Sequence, residues 1–485
     1  MGIVTSQSFK NTITTYLGFA IGAINTLFLY TYFISDVYYG LVSFMLSTAN
    51  VMMPLMAFGA HNTLVKFYSS FKTKNSQNSF LTLMLVLPLL LIIPIGAIGA
   101  LTYDSINSLL SQQNPIVKDY VWYIYVAAIA MAYFEVFFAW AKVQLLTVFG
   151  NFMKEVFHRV GVMALLFMVH FQWIDVQQFI LGVILVYILR MLVMLFYAFS
   201  VRRPKIRFSK LENFWPILKY SSLIIIAGSI ATIILDIDSF MLGMYIPIEK
   251  VAYYGVAIYM ATVIAVPSRA MQQILHPLTA QYLNENNREA LQDLYIRSSQ
   301  SLFVIGTLLF LLIVLNINQM YLLIPEEFSG GIIVVFLVGV AKLYDNLMGC
   351  NNALLFNSDY YRMVLVFGVM LAVMTVLLNM AFIPRFGING AAFATFLAIF
   401  VYNSIKIYFV KIKFGMMPFN VKTGKLCLLL LLCVLLFYFW EFPFHPLVNI
   451  ALKSVLAVAF YVVSVLKLNV SEDISATIKK YLKIQ

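Results

Sequence analysis

Long apolar runs separated by short polar gaps make up almost the whole chain. A helix needs about 20 predominantly apolar residues to cross a bilayer core. That rule predicts spans over 9–33, 39–65, 80–103, 119–147, 153–172, 177–200, 217–245, 250–276, 299–324, 330–356, 363–383, 388–410, 425–441 and 446–467. The boundaries of the last two rest on Trp440, Pro443 and His445 alone. The expected fold is all-α, a polytopic membrane protein of about 14 transmembrane helices. The first run follows a polar start, MGIVTSQSFKNTITT, and is too long for the apolar core of a cleavable leader, so it reads as the first span.

Charge in the gaps orients these spans. One set of gaps holds Lys66, Lys72 and Lys74, then Arg202, Arg203, Lys205, Arg207 and Lys210, then Arg288, then Lys411, Lys413, Lys422 and Lys425. The opposite set holds little beyond Lys118, Lys250 and Arg385. The positive-inside rule therefore places both termini in the cytoplasm, including the tail with Lys479, Lys480 and Lys483.

The longest basic gap, 201–219, follows the sixth span. It divides an N-terminal six-helix bundle, 1–200, from a second, 220–413, and leaves 414–485 as an additional helix pair and tail. An internal echo supports this division. VYYG at 37–40 and AYYG at 252–255 each open an even-numbered span that contains a proline, Pro54 or Pro267, and GVM recurs at 161–163 and 368–370. The copies share an orientation, which implies a parallel pseudo-two-fold repeat and a cleft of the alternating-access kind. Pro54, Pro88, Pro94 and Pro267 inside spans suit a bundle that bends. A channel or an inert helical scaffold is the competing reading.

Composition agrees with the pattern: 62% of the 485 residues are hydrophobic and 11% charged, against about a quarter charged in a soluble domain. A net charge of +12 would suggest nucleic acid in a soluble protein. Here the bases lie in the gaps and topology accounts for them, so no nucleic-acid partner is expected. Cys350, Cys427 and Cys433 form no Cys-x-x-Cys pair and read as small buried hydrophobes. The five histidines show no ligand spacing; His61 and His276 fall at inner helix ends. A phosphate-binding Gly-x-x-x-x-Gly-Lys-Ser/Thr loop is absent, and no gap is large enough to house a glycosyltransferase site. Neither a cofactor, a metal site nor an enzymatic activity is expected.

Ionisable residues inside spans cost about 2.5 to 3.5 kcal/mol each on insertion scales and need a reason. Glu135, with Lys142 two turns on and Arg159 in the next span, forms either a proton-linked or substrate-binding cluster or an internal ion pair. Arg190, deep in the sixth span, is expected in a polar cavity. Arg269 follows Pro267 and precedes Gln272 and Gln273, a set suited to an anionic, hydroxyl-rich ligand: guanidinium for phosphate, amides for sugar. Snorkelling of Arg269 to the inner surface is the alternative. Lys342 and Asp345 are one turn apart and can pair with each other; Lys342 lies about 18 Å along its helix from Gly330. Asp236 and Asp238, near the outer end of the seventh span, read as an outer gate or as polar punctuation in reach of water. Small residues Gly387, Gly390, Ala391 and Ala392 permit close helix contact at the start of the twelfth span.

PRFGINGAAFAT at 384–395, DSFMLG at 238–243, AYYG at 252–255 and VPSRAMQQILHPL at 266–278 together resemble the polysaccharide-exporter branch of the multidrug/oligosaccharidyl-lipid/polysaccharide exporter superfamily. The resemblance extends in order from the first span to about the twelfth. It implies a flippase carrying undecaprenyl-pyrophosphate-linked oligosaccharide repeat units from the cytoplasmic to the periplasmic leaflet of a bacterial inner membrane, through a cavity with a cationic interior. Asp238 is followed by Ser239, where the family often has a base, and the first span carries no base beyond Lys10. Lipid II flippases look richer in arginine there, so a lipid II substrate is not the expectation.

The resulting expectation is alternating-access transport, with Arg269 on the pyrophosphate, Arg159, Arg190 and Lys342 making the cavity positive, and Glu135, Asp236, Asp238 and Asp345 as ion-coupling acids. Expected partners are the lipid-linked oligosaccharide, membrane lipids, H+ or Na+ as coupling ion, and other glycan-assembly membrane proteins. A cation-coupled multidrug exporter of the same superfamily is the first alternative. An integral-membrane glycan polymerase or ligase is the second; it would call for a large outer loop, and no outer gap is long.

Overall fold

A computed structural model describes residues 3–208 and 214–476; Lys210, Lys479, Lys480 and Lys483 lie outside the described residues. Among the described residues every regular element is helical, and ten helical runs are long and apolar enough to cross a membrane by length and composition. The chain is a multi-pass membrane protein. It groups into two compact units, Met1–Gly255 and Val256–Gln485.

Helix breaks inside several of the expected spans shape both units. The span expected at 39–65 is two helices, Asp36–Met56 and Ala60–Phe67, parted by a left-handed turn at Phe58 and Gly59. In the second unit Ile332–Leu347 and Asn351–Asn357 are parted in the same way at Gly349. The run expected at 250–276 is Glu249–Thr262, a tight 3-10 turn over Val263–Ala265, and then Val266–Asn284. Pro267 thus begins a helix rather than kinking its middle, a position where its missing N–H is no loss. The spans expected at 363–383 and 388–410 are joined with no intervening loop; within Tyr361–Phe414 only Gly387, at φ 57 and ψ −134, is non-helical. A side chain at that φ would be strained, so glycine is what lets the chain reverse there.

Each break leaves backbone groups in a medium without water, and polar side chains take them up. In the first unit Ser221 Oγ donates to the Phe58 carbonyl at 2.7 Å and accepts from Thr63 Oγ1 at 3.0 Å. Around Pro88 and Pro94 the hydroxyls of Tyr133 and Tyr125 donate to the carbonyls of Leu85 and Ile92. In the second unit buried Asn346 donates to the Ile264 carbonyl at 2.8 Å, inside the 3-10 turn. Ser299 Oγ donates to the Leu347 carbonyl at 2.6 Å, and Ser298 Oγ accepts from the Cys350 N–H at 3.1 Å.

The first unit's core joins Phe80, Met84, Phe134, Trp140 and Met194 from three helices. The second unit's joins Leu275, Tyr295, Leu354, Phe367 and Val410. In the second unit buried Lys453 donates to the Tyr438 carbonyl at 3.0 Å, just beyond the end of the Val421–Phe437 helix, where the helix dipole favours a cation. The basic gap after Val201 is fastened to the first unit: Arg202 donates to Gln77 Oε1 at 3.0 Å and to the Tyr68 hydroxyl, and Arg207 to Asn75 Oδ1 at 2.7 Å.

The echoed motifs both stand in the first turns of helices, and they do different work. Gly40 of VYYG backs onto the Ile248 carbonyl, which a Cβ would meet at 2.0 Å. Gly40→Ala is therefore expected to cost about 1–3 kcal/mol by overpacking. The readout is a lower midpoint in thermal unfolding of the detergent-solubilised protein. Gly99, in the Leu89–Leu101 helix, has nothing within 4 Å of a built Cβ; Gly99→Ala is expected to keep or raise the midpoint, because alanine is the better helix former.

Candidate functional site

The first unit holds a group of charges on neighbouring helices. Glu135 lies on Val121–Lys142, and its Oε1 is 2.6 Å from Lys154 Nζ. The partner is not the Lys142 or Arg159 that sequence reasoning placed beside it. Lys142 is turned over the Phe138 ring, at 3.9 Å from its centroid, and Arg159 lies 3.6 Å from Glu155 one turn back. The reason is local. The fifth run begins at Val148, earlier than the expected 153, and carries a π-turn at Met153–Phe157. Lys154 thus sits within the helix, about 9 Å from its start at 1.5 Å per residue, and the wide turn shifts the register of the helix beyond it.

The first helix packs onto this irregularity and has a π-turn of its own, Asn25–Leu29. Asn25 Nδ2 donates to the Arg159 carbonyl at 2.8 Å. At Gly18 a Cβ would meet the Glu155 carbonyl oxygen at 2.4 Å, so glycine is what allows the helices to approach.

Arg190 is not in a polar cavity as expected. It is 7% exposed, with its guanidinium carbon 4.3 Å from the Phe134 ring centroid and 4.7 Å from that of Tyr187. Aromatic faces stabilise the buried cation without neutralising it, and its Nε has no hydrogen-bond partner. Arg159 Nη1 makes no hydrogen bond either, but Glu155 Oε2 stands 3.6 Å away as its ion-pair partner. Lys142, Lys154, Arg159 and Arg190 thus stand against Glu135 and Glu155, an excess of base.

Asp236 and Asp238 are not rim punctuation. Asp238 is 5% exposed and accepts from the Tyr254 hydroxyl at 2.5 Å, while Asp236 lies beside Ser47 and Asn50 of the Asp36–Met56 helix. Tyr253 donates to Asp36 at 2.5 Å. Asn114 donates to the carbonyls of Gly243 and Ile246 and accepts from the Ile248 N–H, closing the turn between these helices. Both tyrosines of AYYG therefore hold carboxylates.

In the second unit Arg269 is exposed on Val266–Asn284. Gln272 Nε2 donates to the Gly349 carbonyl at 3.2 Å, serving the helix break, while its Oε1 is buried with no hydrogen-bond partner. The Gln273 side chain lies outside the described residues. Lys342 and Asp345 stand 3.7 Å apart, the geometry their spacing predicts. Asp345 also accepts from Asn403 at 2.7 Å. Close by in sequence to Asn403, Lys406 is 2% exposed, donates to Asn352 Oδ1 and lies 4.7 Å from the Tyr402 ring centroid. Sequence reasoning passed over Lys154 and Lys406 because each falls near the end of an expected span, where a base is ordinary. The signal available for Lys406 was its position one turn after the polar pair Asn403 and Ser404. Among the described residues no group of three or more His, Cys, Asp or Glu has the arrangement to hold a metal ion.

Comparison with known proteins gives two results. The family model for polysaccharide biosynthesis proteins matches residues 7–271, more than half of the chain. No curated protein sequence gives a significant match. Among solved structures, the lipid II flippase MurJ in an inward closed conformation is similar with a TM-score of 0.74 at 14% identity, covering 94% of this chain and 99% of that one. An inward-facing multidrug resistance MATE family transporter of the MOP superfamily is similar with a TM-score of 0.57 at 14% identity, covering 84% and 94%. A MATE protein in complex with MaL6 has a TM-score of 0.57 at 12% identity, covering 84% and 96%. At these identities the likeness is one of fold. With that fold and the match over residues 7–271, the chain belongs to the polysaccharide biosynthesis protein family.

Proposed function

We propose that this protein is a transporter, not an enzyme, and that it flips undecaprenyl-pyrophosphate-linked oligosaccharide repeat units from the cytoplasmic to the periplasmic leaflet of a bacterial inner membrane. The observation that carries this reading is the excess of base in the first unit, where buried Arg190 faces aromatic rings and keeps an Nε donor with no hydrogen-bond partner. A buried, unneutralised guanidinium is costly on its own and is offset by an anion that arrives with the ligand. A pyrophosphate supplies that anion. A drug exporter for cations would call for the opposite sign. The names of the fold relatives, a lipid II flippase and a multidrug transporter, agree with a membrane-embedded substrate.

On this reading the chain has fourteen spans, two six-helix bundles in a parallel repeat with a further helix pair, and both termini in the cytoplasm. The bundles work by alternating access coupled to H+ or Na+. Glu135, Asp236, Asp238 and Asp345 are the candidate coupling acids, and Arg269 and Lys342 are further candidate ligand bases. Other glycan-assembly membrane proteins are its expected neighbours.

In a strain lacking the protein, surface glycan is expected to fall and to return with the wild-type gene. Arg190→Ala, Arg159→Ala or Arg269→Ala should restore at least about tenfold less, at equal membrane levels by immunoblot; full restoration by the first two would remove the anion-binding reading. Topology is open to a separate check. Alkaline phosphatase fused after Gln113 or Glu441 should be active, and fused after Lys413 inactive; an inactive Glu441 fusion would rule out the outer turn between the last two helices.

A further inference from the structure

The Glu135–Lys154 pair has the wrong exposure for a purely structural ion pair. The Glu135 side chain is 12% exposed, whereas that of Lys154 is 44% exposed, although it lies about two turns inside its helix. An ammonium at that depth is not stable against hydrocarbon, so its open side faces a water-lined space. Glu135 has another positive neighbour, Lys142, on its own helix, which acts on it electrostatically alongside Lys154. If Lys154 turns away, the carboxylate keeps compensation; the lysine is the mobile partner. The π-turn that carries Lys154 also carries Glu155 and leads directly into Arg159, and interruptions of this kind are frequent at functional sites.

On the basis of the proposed flippase reading, we infer that Lys154 takes the phosphate of the incoming ligand and that Glu135 is its resting counter-ion, displaced by a diphosphate and not by a singly charged lipid. The carboxylate sets a threshold. A phosphodiester headgroup such as phosphatidylglycerol brings one charge and only replaces what Glu135 already provides. A diphosphate ester brings at least two, and it also satisfies the open Nε donor of Arg190. Glu135 thereby acts as a selectivity residue: it keeps abundant anionic lipids, which crowd any basic membrane site, from occupying the place of a scarce one. Lys154 is a binding residue, and Glu135 works through it.

The experiment uses the full chain in nanodiscs of phosphatidylcholine, with binding of fluorescent farnesyl diphosphate as the readout. Phosphatidylglycerol in the disc and free inorganic pyrophosphate serve as competitors. Wild type should bind the prenyl diphosphate, resist phosphatidylglycerol and yield to pyrophosphate. Glu135→Gln should bind roughly tenfold tighter and become sensitive to phosphatidylglycerol, because the competing anion is gone. Lys154→Gln should bind roughly tenfold weaker, Lys154→Arg should retain binding, and Glu135→Gln should have no further effect in the Lys154→Gln background. Thermal unfolding midpoints identify any variant that has lost its fold, and the tighter binding of Glu135→Gln cannot arise from misfolding. If Glu135→Gln binds no tighter and stays insensitive to phosphatidylglycerol, the inference falls, and the flippase reading stands so long as Arg190→Ala loses binding. If pyrophosphate fails to compete, recognition lies in the prenyl chain and the inference falls as well. If folded wild type binds no diphosphate at all, both fall together.

Discussion

Every buried backbone polar group in a lipid-embedded chain needs a partner from the protein itself, and this protein's helices are broken in several places where that requirement bites. The breaks at Phe58, at Val263–Ala265 and at Gly349 are each met by side chains from a neighbouring helix: Ser221, Asn346, and the group Gln272, Ser298 and Ser299. Asn114 does the same for the turn after Gly243. These polar residues fix where the helices bend. They are also the residues that a sequence-level search for ligand contacts picks out first, since an amide or hydroxyl in an apolar run asks for a reason. Gln272 shows the overlap at its clearest, because the amide that suits a sugar also gives its N–H to a carbonyl of the helix break.

Beside these backbone partners the helices also carry charge, and in the first unit that charge does not balance. Arg190 is held by rings instead of a carboxylate. Rings preserve a cation's field, whereas a carboxylate would cancel it. Had the guanidinium been needed only to tie helices together, Glu135 on the same helix as Phe134 would have been the partner at hand. Instead Glu135 is committed to Lys154. The unit therefore separates a permanent positive charge from an adjustable ion pair, and that separation makes the cluster suitable for binding something and letting it go.

The sequence made the large-scale features readable because they depend on length and mean polarity: the all-helical class, the membrane location, the approximate run boundaries and the Lys342–Asp345 pair. What it concealed depended on phase. A π-turn changes which residues share a helix face without leaving any compositional trace, so Lys154 could not be matched to Glu135 from spacing. The helix breaks could be suspected from Pro54 and Pro267. Their positions were nonetheless set by glycines and by partners on distant segments, as at Gly349. Closeness to a helix end suggests an exposed Asp238, whereas it is buried against a tyrosine of the next helix. Charge alone points Arg190 to a polar cavity, whereas the rings of Phe134 and Tyr187 are what hold it.

The YYG echo illustrates what such a pattern can and cannot carry. Its two copies mark corresponding helix starts, yet Tyr39 stacks on Tyr30 and gives its hydroxyl to the Thr26 carbonyl, while Tyr253 and Tyr254 bind Asp36 and Asp238. Asp36 directly precedes the first copy, so the second copy closes on the residue that introduces the first. Gly40 completes the arrangement by admitting the Ile248 carbonyl at a distance no side chain would allow. Two phenols meeting two carboxylates are stable only while the helices stay in register, because each acid left in an apolar setting without its donor is costly. The start of the Asp36–Met56 helix, the end of the Phe214–Tyr245 helix and the start of the Glu249–Thr262 helix are thus bound as one piece. That gives the long Phe214–Tyr245 helix a fixed anchor at this end, and any bending of the unit falls on the broken segments further along, where the backbone is held by single hydroxyls and amides.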